Sequence, residues 1–233
     1  MSPAHDTASL LRQSRERFYP SLTNPNWMVL RARRRIFAKW IPQIPGKALQ
    51  ILDVGGRLQP YRPLFSDRLG KYNAADLTPR GLTDVAASAE RLPFASNSFD
   101  VVVCTQVLEY VPHPQQAIDE MRRVLKPGGS LLLSVPSVFP RDSDPEYWRF
   151  LPSALRMMLQ GFTQIEIAAE GSSVAGLFRT LNVWTFAFSP AWFKPVLRWS
   201  CVPFLNLVGH LAEKAIRSKN EDFSANFSVW ARK

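Results

Sequence analysis

The chain is poor in the residues that staple or metallate a small protein. It has two cysteines, Cys104 and Cys201, and three histidines among 233 residues. Two distant cysteines give no disulfide framework and no metal-ligand spacing, so a disulfide scaffold and a cysteine-based zinc site are excluded. Cys104 sits in an apolar, strand-like run and reads as a small core residue. The opening segment MSPAHDTASLLRQSRERFYP lacks the apolar core of a signal peptide. No apolar run reaches the roughly 18–20 residues that a spanning helix needs. No internal repeat and no low-complexity tract is visible. The expectation is a cytoplasmic protein, with no metal.

Acidic residues are also scarce relative to basic ones. The chain carries 29 Lys and Arg against 19 Asp and Glu, a net charge of +10. The excess is concentrated early: residues 1–40 hold Arg12, Arg15, Arg17, Arg31, Arg33, Arg34, Arg35 and Lys39 against Asp6 and Glu16. Such a balance suits an anionic partner, whether nucleic acid, anionic lipid or a phosphorylated substrate. For a single arginine, a solvated helix face is the simpler account. LRARRRIFAKW has the spacing of a basic amphipathic helix.

What is present is a strand–helix alternation. Residues 1–45 read as a basic helical extension broken at YPSLTNPNW. From 46 to 171 the pattern changes. ALQILDV, YNAADL, LTDVAAS, SFDVVVCTQ, SLLLSVP and FTQIEIAAE read as strands; PHPQQAIDEMRRVL and PSALRMML read as helices. KPGG reads as a glycine cap that ends the first of these helices. The alternation predicts an α/β, doubly wound parallel sheet. Residues 172–218 form a hydrophobic insertion with two uncharged 14-residue runs, TLNVWTFAFSPAWF and WSCVPFLNLVGHLA. Either it is a helical lid buried on the domain, or its Trp184, Trp192 and Trp199, beside Arg and Lys, mark a segment at a membrane interface. Residues 219–233 end in NFSVWARK, which returns to the sheet.

ILDVGGRLQPY is the informative stretch. A buried strand reaches Asp53 and breaks at Gly55-Gly56, which lets a backbone approach a ligand at a strand's carboxyl end. Asp76 ends the next strand 21 residues after Gly55, the distance at which an acidic residue meets a ribose diol.

From residue 51 to 136 the chain resembles the class I, Rossmann-like S-adenosylmethionine-dependent methyltransferases of the small-molecule and glycan-modifying type. ILDVGGRLQPY resembles their glycine motif in a degenerate form. AADL resembles their ribose motif, and AERLPFASNSFDVVVCTQVLEYVPHPQQAIDEMRRVLKPGGSLLLSVP the remainder; EYWRFLPSALRMML resembles the stretch after the fifth strand. About 120 of the 233 residues are covered, and order and spacing carry the match more than any one motif. The resemblance implies a mostly parallel seven-stranded sheet with helices on both faces, a helical insertion before the last strand, and S-adenosyl-L-methionine as cofactor. It implies Asp53, Gly55 and Gly56 around the methionine moiety, Asp76 on the ribose, Leu77 along the adenine, Ser88, Ala89 and Glu90 at the adenine edge, and Gln106 where the fourth strand meets the cofactor. Two positions depart from the pattern. Arg57 stands where glycine is usual, which costs on the order of 1 kcal/mol if φ is positive there. Ser88 stands where an aspartate often accepts from the adenine.

Methyl transfer from a sulfonium asks for in-line positioning and, for oxygen or nitrogen nucleophiles, a base. Tyr110, His113, Asp142, Glu146 and Tyr147 are the candidates near the expected mouth. Histidine has an intrinsic pKa suited to base work, but for His113 a turn position between prolines is the simpler account. Arg149 either clamps an anionic substrate or pairs with Glu146, and Trp148 and Phe150 line the acceptor pocket or join the core. Three functions follow. The first is a methyltransferase for a small-molecule, glycan or lipid-linked acceptor, peripheral on the inner face of an anionic membrane. The second is an RNA methyltransferase, which the charge suggests. Against it, there is no Asn-Pro-Pro-Tyr motif, no paired catalytic cysteine and no added RNA-binding module, so a nucleic acid partner is not expected. The third is a non-catalytic binding module of the same fold.

Overall fold

The computed structural model describes residues 3–78, 80–138, 140, 144–216 and 219–233. Seven strands form one sheet: β1 (Leu49–Val54), β2 (Leu69–Asp76), β3 (Val85–Ala86), β4 (Phe99–Thr105), β5 (Leu125–Pro136), β6 (Gln164–Ala169) and β7 (Asn226–Arg232). The order is β3-β2-β1-β4-β5-β7-β6. β1 pairs in parallel with β2 and β4, β2 with β3, and β4 with β5. β7 enters between β5 and β6 and is antiparallel to both. β1, β4 and β5 are buried almost throughout. Strands covered on both faces are rich in apolar residues without alternation, as in QILDV, VVVCT and SLLLSV here.

Helices cover both faces. α1 (Pro3–Phe18) and α2 (Trp27–Trp40) lie on one side, where Phe37, Trp40, Tyr61 and Phe65 pack on Ile51, Val101 and Leu132. α3 (Pro114–Val124) and α4 (Pro152–Met158) lie on the other, where Met121, Val124 and Leu155 pack on Leu52, Val102 and Leu133. Cys104 is buried in this second core. The basic extension therefore contributes to the core on one face of the sheet: α2 turns Val29, Arg33, Phe37 and Trp40 inward at helical spacing.

KPGG is not a helix cap. α3 ends at Val124, and Leu125 is already extended at φ −68, ψ 137. Lys126 to Gly129 lie within β5. The pairing of Phe99 with Leu125 reaches into this stretch, so sheet hydrogen bonds end the helix and the glycine at positive φ, Gly128, comes too late to do so.

After β6, α5 (Ser173–Ala187), α6 (Lys194–Trp199) and α7 (Cys201–Ile216) precede the return to β7. α5 and α7 pack together and against α2. They are built inside out. Ala175, Gly176, Arg179 and Asn182 of α5, and Val202, Asn206 and Gly209 of α7, face inward. The Asn182 amide donates to Asn206 Oδ1 at 3.0 Å, the Asn206 amide donates to the carbonyls of Leu22 and Asn24, and Arg179 Nε donates to Asn26 Oδ1. Leu177, Leu181, Trp184 and Phe188 on α5, and Phe204, Leu207 and Leu211 on α7, face outward and are exposed. These follow i, i+3, i+4 and i+7 spacing, so each helix shows one apolar stripe to its surroundings. Trp192 and Trp199 beside them are 78% and 75% exposed. Among the described residues, the large apolar side chains of this segment face outward and are left exposed. Among the described residues, no helix is long and apolar enough to cross a membrane.

Candidate functional site

The sheet reverses strand order between β1 and β4, and ligands in open α/β sheets bind beyond the carboxyl ends of the strands at such a point. A cavity of about 860 Å³ opens there, within the size of a small-molecule or cofactor site. Its floor is the end of β1. Gly55 has φ +77, and a Cβ on it would meet Val107 Cγ2 at 2.2 Å. The missing side chain keeps the backbone at the cavity wall. Gly56 serves the turn from below, because a Cβ there would meet Asp53 and Ala74 within 3 Å.

Of the residues picked out from the sequence, Gly55, Asp76, Leu77, Ser88, Ala89, Glu90, Gln106 and Tyr110 line the cavity, as do Arg57 and Glu146. Asp76 ends β2 at the wall, and its Oδ1 accepts from the Thr78 amide. The Ser88 hydroxyl accepts from the Glu90 amide, and Glu90 Oε1 accepts from the His113 amide. Gln106 holds φ +55 while its amide donates to the Ser134 carbonyl. A non-glycine residue in that conformation stores strain, a feature concentrated at functional sites.

Asp53, Gly56, His113 and Tyr147 do not line the cavity. His113 is exposed and starts α3, Tyr147 is half exposed, and Asp142 lies outside the described residues. Phe150 belongs to the core, the Trp148 indole donates to the Val111 carbonyl, and Arg149 pairs with Glu146 at 3.0 Å. Arg57 has no positive φ; among the described residues the non-glycine residues that do are Ala48, Gln59, Asn97 and Gln106. The strain anticipated at Arg57 sits at Gln59 instead, φ +45, where the side chain donates to the Leu82 carbonyl and accepts from Arg62.

Asp53 is 4% exposed and accepts from the Tyr72 hydroxyl at 2.8 Å. Burial pushes its carboxyl up to about 7; the Tyr72 bond opposes this and Asp76 adds to it. Glu109, which does line the cavity, is likewise pushed by burial to about 7. Their ordinary values are 3.8 and 4.5. Between those values and 7 the folded protein keeps protons that the unfolded chain has released, so stability falls as pH rises through this window. Each group contributes on the order of 2–3 kcal/mol between about pH 5 and pH 8. Urea unfolding at the two pH values is expected to show the loss, and Asp53→Asn, which keeps an acceptor for Tyr72, is expected to remove about half of it. An Asp53→Asn variant with the wild-type pH slope would show that Asp53 is ionised throughout.

Several cavity residues were not placed at this site from the sequence. Arg17, Arg33, Glu109, Arg179 and Asn226 line the same space. Arg33 is 4% exposed, and its Nε donates to Glu170 Oε1 at 2.8 Å. Glu170 also accepts from Ser134, Ser228 and Asn226, and Asn226 reaches Gln106 at 3.4 Å. Desolvation pulls on the Arg33 cation, and Glu170 more than compensates. Arg17 is exposed at the rim of the same space, near Arg33 and Arg57. Like charges gathered on one wall favour an anionic group there. Of these only Glu109 was within reach of sequence reasoning: it is a carboxylate in an otherwise apolar VLEYV directly after β4.

The sequence pattern of a family described as a methyltransferase domain matches residues 53–133. A demethylmenaquinone methyltransferase of Renibacterium salmoninarum is 28% identical over 190 residues, covering 76% of this chain and 77% of the relative. A ubiquinone/menaquinone biosynthesis C-methyltransferase of Pseudomonas putida is 35% identical over 115 residues, covering 46% of this chain and 45% of that one. Among solved structures, a Bacillus halodurans chain assigned as a methyltransferase superposes with a TM-score of 0.52 at 20% identity, covering 84% of this chain and 98% of that one. A [4+2]-cyclase, SpnF, superposes at 0.53 and 19%, covering 86% and 80%. Such a likeness gives the fold; the chemistry is argued from the site.

Proposed function

We propose that this chain, which belongs to the class I S-adenosylmethionine-dependent methyltransferases, methylates an apolar small molecule or lipid-linked acceptor at the surface of an anionic membrane. The cavity fits the cofactor: a glycine turn that a Cβ would block, and a carboxylate at the end of β2. Asp76 would hold the ribose hydroxyls, Gly55 and Gln106 the methionine side, and Leu77, Ser88, Ala89 and Glu90 the adenine side. Bound S-adenosylmethionine supplies an activated methyl group. The chain's part is to hold the acceptor in line with it and exclude water.

The observation that carries the membrane reading is the inside-out pair α5 and α7, with polar groups inside and aromatic stripes outside. In water this arrangement leaves apolar area uncovered, and a patch of that kind marks an interaction surface. Lipid is the partner its chemistry fits. Lys194 and Arg198 lie among the exposed tryptophans. His210 of α7 stacks edge-on against Trp27 at 5.5 Å, Arg31 covers Trp27 at 4.1 Å, and Arg31, Arg35 and Lys214 all bear on His210 electrostatically. Basic residues at an anionic surface contribute about 1 kcal/mol each. Arg179 links this element to the cavity, since α5 carries both. The relatives named for quinone methylation support an acceptor that is itself held in lipid.

Flotation of the protein with vesicles separates the readings. Binding to vesicles containing phosphatidylglycerol is expected, weakened by salt, and reduced about tenfold or more in Trp184→Ala/Trp199→Ala, since each buried tryptophan contributes on the order of 1.5–3 kcal/mol. No recovery with anionic vesicles at low salt would remove the membrane from this proposal and leave a dissolved acceptor.

A further inference from the structure

Glu109 is 2% exposed, lines the cavity, and its Oε2 has no hydrogen-bond partner. Its own backbone amide is a donor to the carboxyl, but a buried oxygen left without a partner is costly, and such an exception in a folded protein needs a reason. Backbone packing does not supply one. The Glu109 carbonyl accepts from the amides of Tyr147 and Trp148 at 2.7 and 3.3 Å, and that part of the residue any side chain would provide. The turn Leu108–Tyr110 follows β4 directly, and Gln106 and Tyr110 on either side of Glu109 face the same cavity. The carboxyl is thus set just beyond the carboxyl end of a central strand, buried, and with one oxygen unclaimed.

We propose that Glu109 is a catalytic residue, the proton acceptor for a hydroxyl of the methyl acceptor. This rests on the methyltransferase reading above. Glu109 Oε2 takes the hydroxyl proton. The electron pair released on the acceptor, at the oxygen or through the conjugated ring carbon, forms the new bond to the methyl carbon, and the pair of the breaking carbon–sulfur bond stays on sulfur; where a ring carbon is methylated, the hydrogen it carried then leaves as a proton to solvent and the oxygen regains the proton held by Glu109. One proton moves to Glu109 and one methyl to the acceptor; no oxidant or reductant is needed. The groups that bear on Glu109 are Arg33 from α2, Glu146 and Arg149 from the segment before α4, and the Cys104 thiol from β4. Burial outweighs its own backbone amide and the two arginines, and Glu146 adds to burial, so the carboxyl is pushed up to about 7, where a base is most effective at neutral pH.

The test uses protein labelled with ¹³C at the glutamate carboxyls, titrated by NMR with and without demethylmenaquinol as probe acceptor. One resonance is expected to have its midpoint near neutral, to be missing from Glu109→Gln, and to shift its midpoint when the hydroquinone is added. Single-turnover methylation of the probe is expected to fall about 100-fold or more in Glu109→Gln and to recover in part in Glu109→Asp. S-adenosylhomocysteine affinity, measured by calorimetry, is expected to stay at the wild-type value and so report an intact fold. A midpoint far from neutral, a midpoint that ignores the hydroquinone, or a wild-type rate in Glu109→Gln each overturns the assignment. Failure of the wild type to bind S-adenosylhomocysteine would instead overturn the methyltransferase reading, and the titration of the protein alone tells the two apart.

Discussion

Glu170→Ala is expected to destabilise the protein by about 3–5 kcal/mol, the loss typical of leaving a buried ion without its partner. Glu170 is 1% exposed and Arg33 4% exposed. The carboxylate neutralises Arg33 and also receives two serine hydroxyls and the Asn226 amide. Removing it leaves a buried guanidinium unpaired and three donors without their acceptor. The same network joins α2 to β5 and β7 and ends at Gln106, so cofactor affinity is expected to fall with stability. Urea unfolding measures the first effect. The double variant Arg33→Met/Glu170→Leu is expected to recover much of the loss, because no charge is then stranded. A single-variant loss under about 1 kcal/mol would mean that water reaches Arg33 and that the pair is not buried in solution.

Asp76→Ala is expected to weaken S-adenosylmethionine binding at least tenfold. Two charge-assisted hydrogen bonds to a ribose, partly replaced by water, contribute about 2–4 kcal/mol. The Thr78 amide loses its acceptor in this variant as well, so Asp76→Asn is the control: it keeps an oxygen for Thr78 and removes the charge. Both are expected to unfold at wild-type urea concentration within a narrow margin. Calorimetry that finds wild-type affinity in Asp76→Ala would take Asp76 out of the cofactor site.

The parallel core was legible because its signals are local. LQILDV and FDVVVCT are mostly apolar with no polar alternation, as a strand buried on both faces reads. Gly55 was legible for a similar reason: a glycine pair at the end of such a strand points to close backbone approach. Arg33 was not, because spacing alone marks it as one arginine in RARRR, and its inward direction depends on Glu170, 137 residues away. KPGG misled because glycine after a helix is a common stop, while here strand pairing had already ended the helix.

What the sequence by itself determined is the strands along the chain, the turn after β1, and the acidic end of β2, since each follows from a short run of residues and its periodicity. It also determined that 172–218 holds apolar stripes too short to span a membrane. Tertiary structure alone decided which face of those stripes is covered. Periodicity shows that a helix has two faces, but whether Asn182 and Asn206 or Trp184 and Phe204 turn inward depends on what the helix packs against. The same holds for the carboxyls. Asp53 and Glu109 are both single acidic residues in apolar runs, and only the packing of Tyr72 over one and an open cavity beside the other gives them different surroundings.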